Sequence, residues 1–426
     1  MMQRHITLAS VIFIIAMGGF VTPTSVYSAE GQPSLQESPA DNKVNTELHP
    51  GEESYIPQFK KIATNQEMSA SNQWVLDHFY AESAVPPFSF VYDGHPSSEI
   101  LNTWRVNRSD KKIDENRTAR TLTYTDPKTH LEVQCQVVEH SDYPAVEWVV
   151  HFTNGGTADT PILEDVQALD VSLTRTSEGE FVLHHAKGSN HKIEDFQPAD
   201  DALPPGSRRR IYSFGVHPWG MSSVESLPFF NVEASGKGMI AAVGWSGAWS
   251  AEFIRDNSNG LQVRSGMDTT HLLLHPDETI RTPRMLILLW EGDRIRAHNL
   301  WRRLLLEHYT PQPGKQPLQV PLCGMSWGEM TAVEQINKIE WWKAHDLPME
   351  CYWIDAGWSS TEADAGDCFN AAANRIVRKD LYPDGMKPVS DAAHRAGMQF
   401  LLWIWPHIAR VGIEIGAEHP EWVLPG

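Results

Sequence analysis

The sequence has few of the residues and motifs on which metal, nucleotide and nucleic-acid chemistry depend. Its four cysteines lack the spacing of a zinc site, and no His-Glu-x-x-His motif occurs among its 19 histidines. It contains neither a glycine-rich phosphate loop nor a dinucleotide fingerprint. Lys and Arg total 35 against 54 Asp and Glu, and the net charge of −19 argues against nucleic acid or an anionic membrane as partners. We therefore expect no metal, no cofactor and no nucleic acid.

An apolar run of sixteen residues occurs near the N-terminus, at 6–21, and this is shorter than a typical membrane-spanning helix. Basic residues precede the run at 6–21, and small residues suited to cleavage follow at 26–29. These features predict a signal peptide at 1–29 and a secreted or periplasmic protein with no membrane contact after cleavage; a membrane anchor is the alternative. The next stretch is rich in Pro, Ser, Asn, Gln and Glu, which predicts a disordered linker at 30–70.

The middle of the chain has the pattern of an all-β domain. Stretches such as 121–124, 131–138 and 146–152 alternate in part between apolar and polar residues and are separated by turn-forming residues. Many such strands predict a large β-sandwich, which we place at 71–291. It could serve as a carbohydrate-binding module or as a packing partner for the domain that follows. A helix is predicted next, within a linker at 292–316.

From residue 317 onward the pattern changes to alternating strands and helices. Short apolar runs at 320–326, 350–354 and 399–404 predict three strands. Thr331 and Glu334 have capping-box spacing at the start of the first intervening helix, and Gly397 is placed to end the second. This β-α-β-α-β order predicts a parallel sheet with right-handed crossovers.

Tryptophans and one carboxylate follow these predicted strands. Trp327, Trp358 and Trp405 come after the three strands, and Asp355 directly follows the second. In a (β/α)₈ barrel the active site lies at the carboxyl ends of the strands. A carboxylate there can accept hydrogen bonds from sugar hydroxyls, while an indole face packs on the C–H face of the ring.

The alternative is purely structural. Asp355 would then be an ordinary residue at a helix N-terminus, and the tryptophans would fill the core. We expect such a core position for Trp341 and Trp353. Cys323 and Cys351 fall on adjacent predicted strands, where buried free thiols are expected and a disulfide is the alternative.

Five short blocks in order resemble glycoside hydrolase family 36, the α-galactosidase or melibiase family. They are Met-Ser-Trp-Gly at 325–328, Trp-Ile-Asp-Ala-Gly-Trp at 353–358, Tyr-Pro-Asp-Gly-Met-Lys-Pro at 382–388, His-Arg-Ala-Gly-Met at 394–398 and Glu-His-Pro-Glu-Trp-Val-Leu at 418–424. The resemblance implies an N-terminal β-supersandwich followed by a (β/α)₈ barrel. It also implies that Trp327, Asp355 and Trp358 bind the substrate.

The implied activity is that of a secreted α-galactosidase that removes terminal α-galactose from oligosaccharides by a retaining mechanism. A homo-oligomer is one candidate for the assembly state. The family's nucleophile lies in a Lys-Trp-Asp motif, which this sequence does not contain. A complete barrel needs about 250 residues, so we expect 317–426 to be an incomplete barrel of about three βα units. Both catalytic carboxylates would lie beyond it, and the chain alone would be inactive.

Two departures from the family favour other functions. Ala356 stands where the family often has a second aspartate, and Trp-Pro-His at 405–407 follows a strand that usually precedes Glu-Pro. A non-catalytic or degenerate carbohydrate-binding relative is therefore one alternative. A galactosyl transferase similar to raffinose synthase is another.

Overall fold

The computed structural model describes most of the chain after residue 62, namely residues 63–81, 84–175, 179–190, 192–213, 221–311, 320–359, 376–404 and 414–422. The predicted signal peptide, most of the predicted linker and Trp405 lie outside the described residues. The chain divides into two compact units, Met1–Tyr309 and Thr310–Gly426. Among the described helices, none is both long and apolar enough to cross a membrane.

The first unit consists mainly of antiparallel strands. Its helices are α1 (Asn65–Val75), α2 (Ser97–Ile100) and α3 (Arg294–Leu304), with π-helical turns at Leu76–Tyr80 and Leu305–Tyr309. Its strands are β1 (Ser89–Tyr92), β2 (His95–Pro96), β3 (Arg105–Lys112), β4 (Arg117–Thr125), β5 (Leu131–His140), β6 (Ala145–Asn154), β7 (Leu163–Thr174), β8 (Phe181–Ala186), β9 (Pro198–Leu203), β10 (Arg208–Tyr212), β11 (Phe229–Ala234), β12 (Lys237–Gly244), β13 (Trp249–Arg255), β14 (Gly260–Met267), β15 (His271–Leu272), β16 (Thr279–Arg281) and β17 (Arg284–Glu291).

These strands form two sheets that pack face to face. One has the order β10-β13-β14-β7-β1-β2, with β15 paired to β7, and the other has the order β3-β4-β5-β6-β17-β12-β11-β8-β9, with β16 paired to β6. Between the sheets the rings of Phe90 and Phe152 meet edge to face at 5.1 Å. The indole N–H of Trp148 donates to the Ala168 carbonyl, 2.7 Å away. This arrangement is consistent with the predicted sandwich.

The central strands show why the sequence pattern was only partly alternating. Strand β5 alternates between buried and exposed positions, as a strand with one covered face should, whereas β6 is buried on both faces. The second face of the sheet is covered by α3, where Leu300 and Trp301 pack in a cluster with Leu288 and Trp290 of β17, the neighbour of β6 in the same sheet. The helix predicted to lie in a linker therefore belongs to the first unit.

The start of the first unit lies earlier than predicted. Thr64 and Glu67 form a capping box at the start of α1, so the last residues of the predicted disordered linker 30–70 are helical. Glu67 is almost fully buried and accepts hydrogen bonds from the Glu291 amide (3.0 Å) and the Arg296 guanidinium. These contacts attach α1 to β17 and α3. Burial alone would raise the pKa of Glu67, but these hydrogen bonds hold it below its usual value.

The second unit has the predicted β-α-β-α-β order. Its strands are β18 (Cys323–Ser326), β19 (Cys351–Ile354) and β20 (Gln399–Leu402), and its helices are α4 (Ala332–Ala344), α5 (Lys387–Arg395) and α6 (Glu414–Glu418). The three strands pair in parallel in chain order. The capping box at Thr331 is present, and Gly397 follows α5 with φ of +84°, as predicted. The parallel sheet is thus confirmed for these strands.

The core of this unit lies between the sheet and its helices. On α4 the residues Gln335, Ile339 and Trp342 share one buried face because their spacing brings them to the same side of the helix. Trp341 lies off that face with 54% of its surface exposed, and its ring stacks on His345 at 4.1 Å. The prediction that Trp341 belongs to the core is therefore wrong. Trp353 is partly buried.

Candidate functional site

Trp327 and Asp355 lie at the same edge of the parallel sheet. The last residues of β18, β19 and β20 are register partners, so the residues that follow them meet at the carboxyl edge. The Asp355 amide donates to the Ser326 carbonyl at 2.8 Å, and the Trp403 amide donates to the Ile354 carbonyl at 2.8 Å. Backbone hydrogen bonds thus hold this edge in one geometry. The parallel topology places the predicted site where α/β proteins bind ligands.

Asp355 is buried, with 4% of its surface exposed. Among the described residues, its carboxylate receives one hydrogen bond, from the Ala356 amide to Oδ1 at 2.7 Å. Burial raises the pKa of Asp355, and the amide hydrogen bond offsets only part of that rise. A buried carboxylate with spare acceptor capacity is suited to hydroxyl donors from a ligand.

Trp327 is half-buried beside this carboxylate's strand end. Its indole N–H donates to the Glu329 carboxylate at 2.9 Å, which fixes the ring at one end. Its backbone carbonyl accepts from the Gln335 side chain at 2.8 Å, which fixes the chain. A partly exposed indole held from two sides can present a flat apolar face to a sugar ring.

Trp358 was predicted to bind substrate, but its ring lies in the core of the second unit. Its surface is 4% exposed, it packs in the core of the second unit, and its indole N–H donates to the Trp403 carbonyl at 2.8 Å. The ring therefore supports the loop after β19 and presents almost none of its surface to solvent. Direct contact between Trp358 and a sugar stays a prediction. Trp405, the third predicted aromatic, lies outside the described residues.

A buried polar network under the site was missed by the sequence reasoning. Gln335, Tyr352 and Tyr382 are all fully buried. The Tyr352 hydroxyl donates to the Gln335 side-chain oxygen at 2.5 Å, and the Gln335 amide donates to the Tyr382 hydroxyl at 3.1 Å. Tyr382 in turn donates to the Gly328 carbonyl at 2.8 Å. Together with the bond to the Trp327 carbonyl, this network positions the segment after β18.

Only part of that network carried a signal in the sequence. Tyr382 opens one of the blocks that resemble the glycosidase family, so it could have been singled out. Gln335 could not, because a glutamine on a helix is ordinarily a surface residue.

Two glycines let the loops after β18 and β19 touch. The Gly328 amide donates to the Ala356 carbonyl at 2.8 Å, and a Cβ at Gly328 would lie 2.4 Å from the Trp358 amide nitrogen. Gly357 has φ of +100°, where a side chain would be strained, and a Cβ there would lie 2.9 Å from the Glu329 amide nitrogen. Trp327 lies on the loop after β18 and Asp355 on the loop after β19, so the contact between these loops helps to fix both residues.

Ala356 is the position at which the resembled family often has a second aspartate. Its side chain is buried, with 2% of the residue exposed. A carboxylate at this position would therefore need its own hydrogen-bond donors.

A separate cleft of about 1150 Å³ lies in the first unit, and none of the residues predicted to bind substrate lines it. Its polar side chains are largely bonded to one another. Arg264 pairs with Asp165 at 2.6 Å, and Asp170 accepts from Ser89 at 2.6 Å and from Gln262 at 2.8 Å. Apart from Nε of Arg264, these groups already satisfy each other, so the carboxyl edge of β18 and β19 is the better candidate for a sugar site.

Comparisons with known proteins agree with the geometry of the second unit. A family model described as Melibiase matches residues 317–426. Alpha-galactosidase 2 of Pediococcus pentosaceus is 23% identical over 219 residues, which cover 48% of this chain and 29% of that protein. Alpha-galactosidase AgaA of Geobacillus stearothermophilus is 21% identical over 322 residues, which cover 73% of this chain and 42% of that protein.

The fold is similar to solved GH36 structures. The AgaA structure from G. stearothermophilus in complex with stachyose superposes with a TM-score of 0.60 and 17% identity, covering 80% of this chain and 49% of that one. An α-galactosidase from Lactobacillus brevis gives a TM-score of 0.61 and 17% identity, covering 79% and 46% of the two chains. The chain therefore resembles the GH36 α-galactosidases. It spans less than half the length of the curated α-galactosidases that it matches.

Proposed function

We propose that the second unit supplies the galactose-binding part of a (β/α)₈ barrel in a secreted, retaining α-galactosidase. The substrate class is oligosaccharides that end in α-galactose, since GH36 structures similar to this one hold stachyose and raffinose. The three parallel strands are compatible with a segment of such a barrel. Export rests on the predicted signal peptide at 1–29.

The buried carboxylate of Asp355 is the observation that carries this proposal. An ionised group in an apolar surrounding is costly unless something compensates it. Among the described residues the compensation is a single amide hydrogen bond. Hydroxyl groups of a bound sugar would supply the missing donors, and Trp327 lies at the same sheet edge to cover the apolar face of the ring.

In this proposal the chain's own residues bind and orient the sugar and do not perform the bond cleavage. A retaining glycosidase needs a nucleophilic carboxylate and an acid/base carboxylate about 5–5.5 Å apart. No residue of this chain matches the Lys-Trp-Asp motif that holds the family's nucleophile. Binding is therefore the property to test in this chain.

Titration calorimetry with galactose, and with its C4 epimer glucose as the control ligand, tests the proposal. We expect galactose to bind more tightly than glucose. Asp355→Ala should weaken galactose binding roughly 10- to 100-fold, because it removes a charged acceptor from hydrogen bonds of about 1.5–3 kcal/mol. Trp327→Ala should weaken it by up to about tenfold through the lost ring contact.

Trp341→Ala is the matched control for the tryptophan change, because Trp341 is exposed on the outer side of α4. It should leave galactose binding unchanged. Equal binding of galactose and glucose, or galactose binding that survives Asp355→Ala, would contradict the proposal.

A non-catalytic carbohydrate-binding relative is the second candidate, and Ala356 favours it. The buried methyl group of Ala356 leaves the site with one strand-end carboxylate where the family often has two. Hydrolysis of a chromogenic α-galactoside by the complete gene product would favour the enzyme. Galactose binding without turnover would favour the relative, and transfer of galactose to an acceptor sugar would favour a raffinose-synthase-like transferase.

A further inference from the structure

We propose that His140, Asp142 and His308 of the first unit form a binding site for a divalent transition-metal ion of the zinc class. One potential ligand atom from each of the three residues lies within 4.8 Å of the other two. In a tetrahedral zinc site, neighbouring ligand atoms are about 3.3 Å apart, so closure needs only a modest contraction. Two imidazoles and a carboxylate form a donor set that zinc accepts, with a fourth position left for water.

Three different elements of the first unit bring these residues together. His140 ends strand β5, Asp142 lies in the turn between β5 and β6, and His308 lies in the π-helical turn Leu305–Tyr309 after α3. π-helical turns are rare and are often found at functional sites. A metal ion here would connect the β5–β6 hairpin to the end of α3.

Two buried atoms of the cluster have no hydrogen-bond partner among the described residues. They are Nδ1 of His140 and Oδ1 of Asp142. His140 is 4% exposed, so its unpaired nitrogen is sealed from bulk water. Because buried polar atoms are nearly always paired, each unpaired one calls for an explanation, and a bound ion is one. The cluster thus has both metal-binding side chains and unused acceptor atoms.

The hydrogen bonds around His140 leave a lone pair on Nδ1. The Tyr309 hydroxyl donates to the Glu147 carboxylate at 2.6 Å, so its oxygen remains free to accept. His140 Nε2 lies 3.4 Å from that oxygen, which places the ring proton on Nε2. Histidines that bind metals commonly have their second nitrogen held in this way by a neighbouring acceptor.

The contact between His308 and Asp142 also suits a cation. His308 Nε2 and Asp142 Oδ2 are 2.8 Å apart and share a hydrogen bond. A metal ion that binds both atoms would displace the shared proton to solvent, so affinity should fall as the pH is lowered.

Access to solvent separates this cluster from an ordinary buried histidine pair. The side chains of Asp142 and His308 are 20% and 9% exposed, so an ion can reach the cluster and water can occupy a fourth position. In the same unit, the pair His275 and Asp159 has a similar contact of 2.7 Å, but both side chains are at least half exposed. That pair is a matched control.

The test is zinc binding to the full chain after treatment with a chelator. The amount bound would be measured against a chromogenic chelator as competitor, and Co²⁺ absorption in the visible range would report tetrahedral coordination. We expect one zinc ion per chain. Asp142→Asn should weaken binding on the order of 100-fold, and Tyr309→Phe about 10- to 100-fold through the lost support of His140. Neither His275→Gln nor Asp159→Asn should change binding.

The choice of variants keeps the test informative if a buried substitution prevents folding. Asp142→Asn retains the size of a partly exposed side chain, and His308→Gln provides a second ligand change outside the fully buried position. Magnesium serves as the control ion, because it prefers oxygen ligands and should not compete with zinc. Failure of the chain to retain zinc, or unchanged affinity in Asp142→Asn, would overturn the proposal, as would loss of zinc binding in His275→Gln.

Discussion

The two units of the molecule treat buried charge in opposite ways. In the first unit the fully buried guanidinium of Arg255 donates to Glu180 at 2.9 Å and to Asp256 at 2.5 Å, and also to nearby backbone carbonyls. In the second unit Asp355 is nearly as buried, yet one amide hydrogen bond reaches it among the described residues. Paired charges of the first kind support the fold, whereas an uncompensated charge costs stability and is kept where a ligand completes it.

Removing one partner of a buried, fully paired charge should have the largest effect on the free energy of unfolding. Arg255→Met leaves Glu180 without its buried partner and removes the side-chain donor to the carbonyls of Ser258 and Gly260, of which Gly260 keeps the Asp256 amide. We expect a loss of about 3–5 kcal/mol in the free energy of unfolding. Urea denaturation monitored by circular dichroism, with the unfolding of the first unit as the transition of interest, measures this loss.

Arg208→Met is the matched control for that change. The Arg208 side chain is 63% exposed, and it also contacts a carboxylate, Glu252, at 2.6 Å. Exposed ion pairs contribute about 0–1 kcal/mol, so this variant should be close to the wild type. Similar losses for both arginines would show that burial does not distinguish them, and the comparison between the units would fail.

The polar network of the second unit should give the next largest effect. Gln335→Leu removes the donor to the Trp327 carbonyl and leaves the hydroxyls of Tyr352 and Tyr382 with fewer partners. Each unsatisfied buried group costs about 1–3 kcal/mol, so we expect a total loss of about 2–4 kcal/mol. Galactose binding should weaken as well, because Trp327 loses the Gln335 donor to its carbonyl and is held only through Glu329 and the Met330 amide.

Asn337→Leu is the control on the same helix, since Asn337 is exposed. It should leave both the melting temperature and galactose binding nearly unchanged. If Gln335→Leu lowers the melting temperature but leaves binding intact, the network supports the fold without positioning Trp327.

The sequence predicted the secondary structure of the second unit well because its signals are local. Capping at Thr331, the glycine after α5 and three short apolar runs each depend on neighbouring residues. In the first unit, strand β6 shows the limit of such reasoning. Its second buried face exists because α3, about 150 residues later in the chain, packs over that sheet, and alternation within β6 itself cannot reveal that.

The candidate site was likewise predictable only where its features depend on residues that are near in sequence. Asp355 and Trp327 follow strands, so their place at the sheet edge could be deduced from the parallel order. The burial of Trp358 could not, because its indole bonds to the carbonyl of Trp403, which lies after β20, 45 residues later in the chain. The cluster of His140 and His308 is also invisible in the sequence, since 168 positions separate its two histidines.

Asp355→Asn should stabilise the protein, by less than Arg255→Met or Gln335→Leu destabilises it. Burial raises the pKa of Asp355 above its ordinary value of 3.8, so the folded state holds its proton more strongly than the unfolded state. Stability contributed by this group is therefore lost as the pH rises above 3.8, and at pH 7 the ionised carboxylate is a cost. Asparagine keeps the acceptor for the Ala356 amide without the charge. We expect a gain on the order of 1 kcal/mol at pH 7.

Thermal unfolding of the wild type and the asparagine variant between pH 3 and pH 8 measures this difference. The gain should shrink as the pH falls toward 3.8, and galactose binding should be weaker in the variant. A variant that is less stable at pH 7 would show that Asp355 is compensated by contacts beyond the amide of Ala356. The second unit would then resemble the first.

The smallest expected effect is a difference between the two units in how fast their cysteine thiols react. Cys135 of the first unit and Cys351 of the second are both buried, whereas Cys323, the register partner of Cys351, is exposed. Burial and, to a smaller extent, the neighbouring Cys323 together raise the pKa of Cys351 to about 12, and burial also raises the pKa of Cys135. Since the thiolate is the reactive form, iodoacetamide at pH 8 should label Cys323 in the native protein and leave the other two unmodified.

Peptide mass spectrometry at several labelling times gives the rate for each of these cysteines, and labelling in urea confirms that all can react. Labelling of a buried thiol then reports how often its unit opens. If Cys351 reacts well before Cys135, the second unit opens more readily than the first, as expected for a unit whose buried Asp355 receives one hydrogen bond among the described residues. Adding galactose should slow the labelling of Cys351 and leave that of Cys135 unchanged, because only the second unit gains donors for Asp355. Equal protection of both by galactose would place the sugar's effect outside the carboxyl edge of β18 and β19.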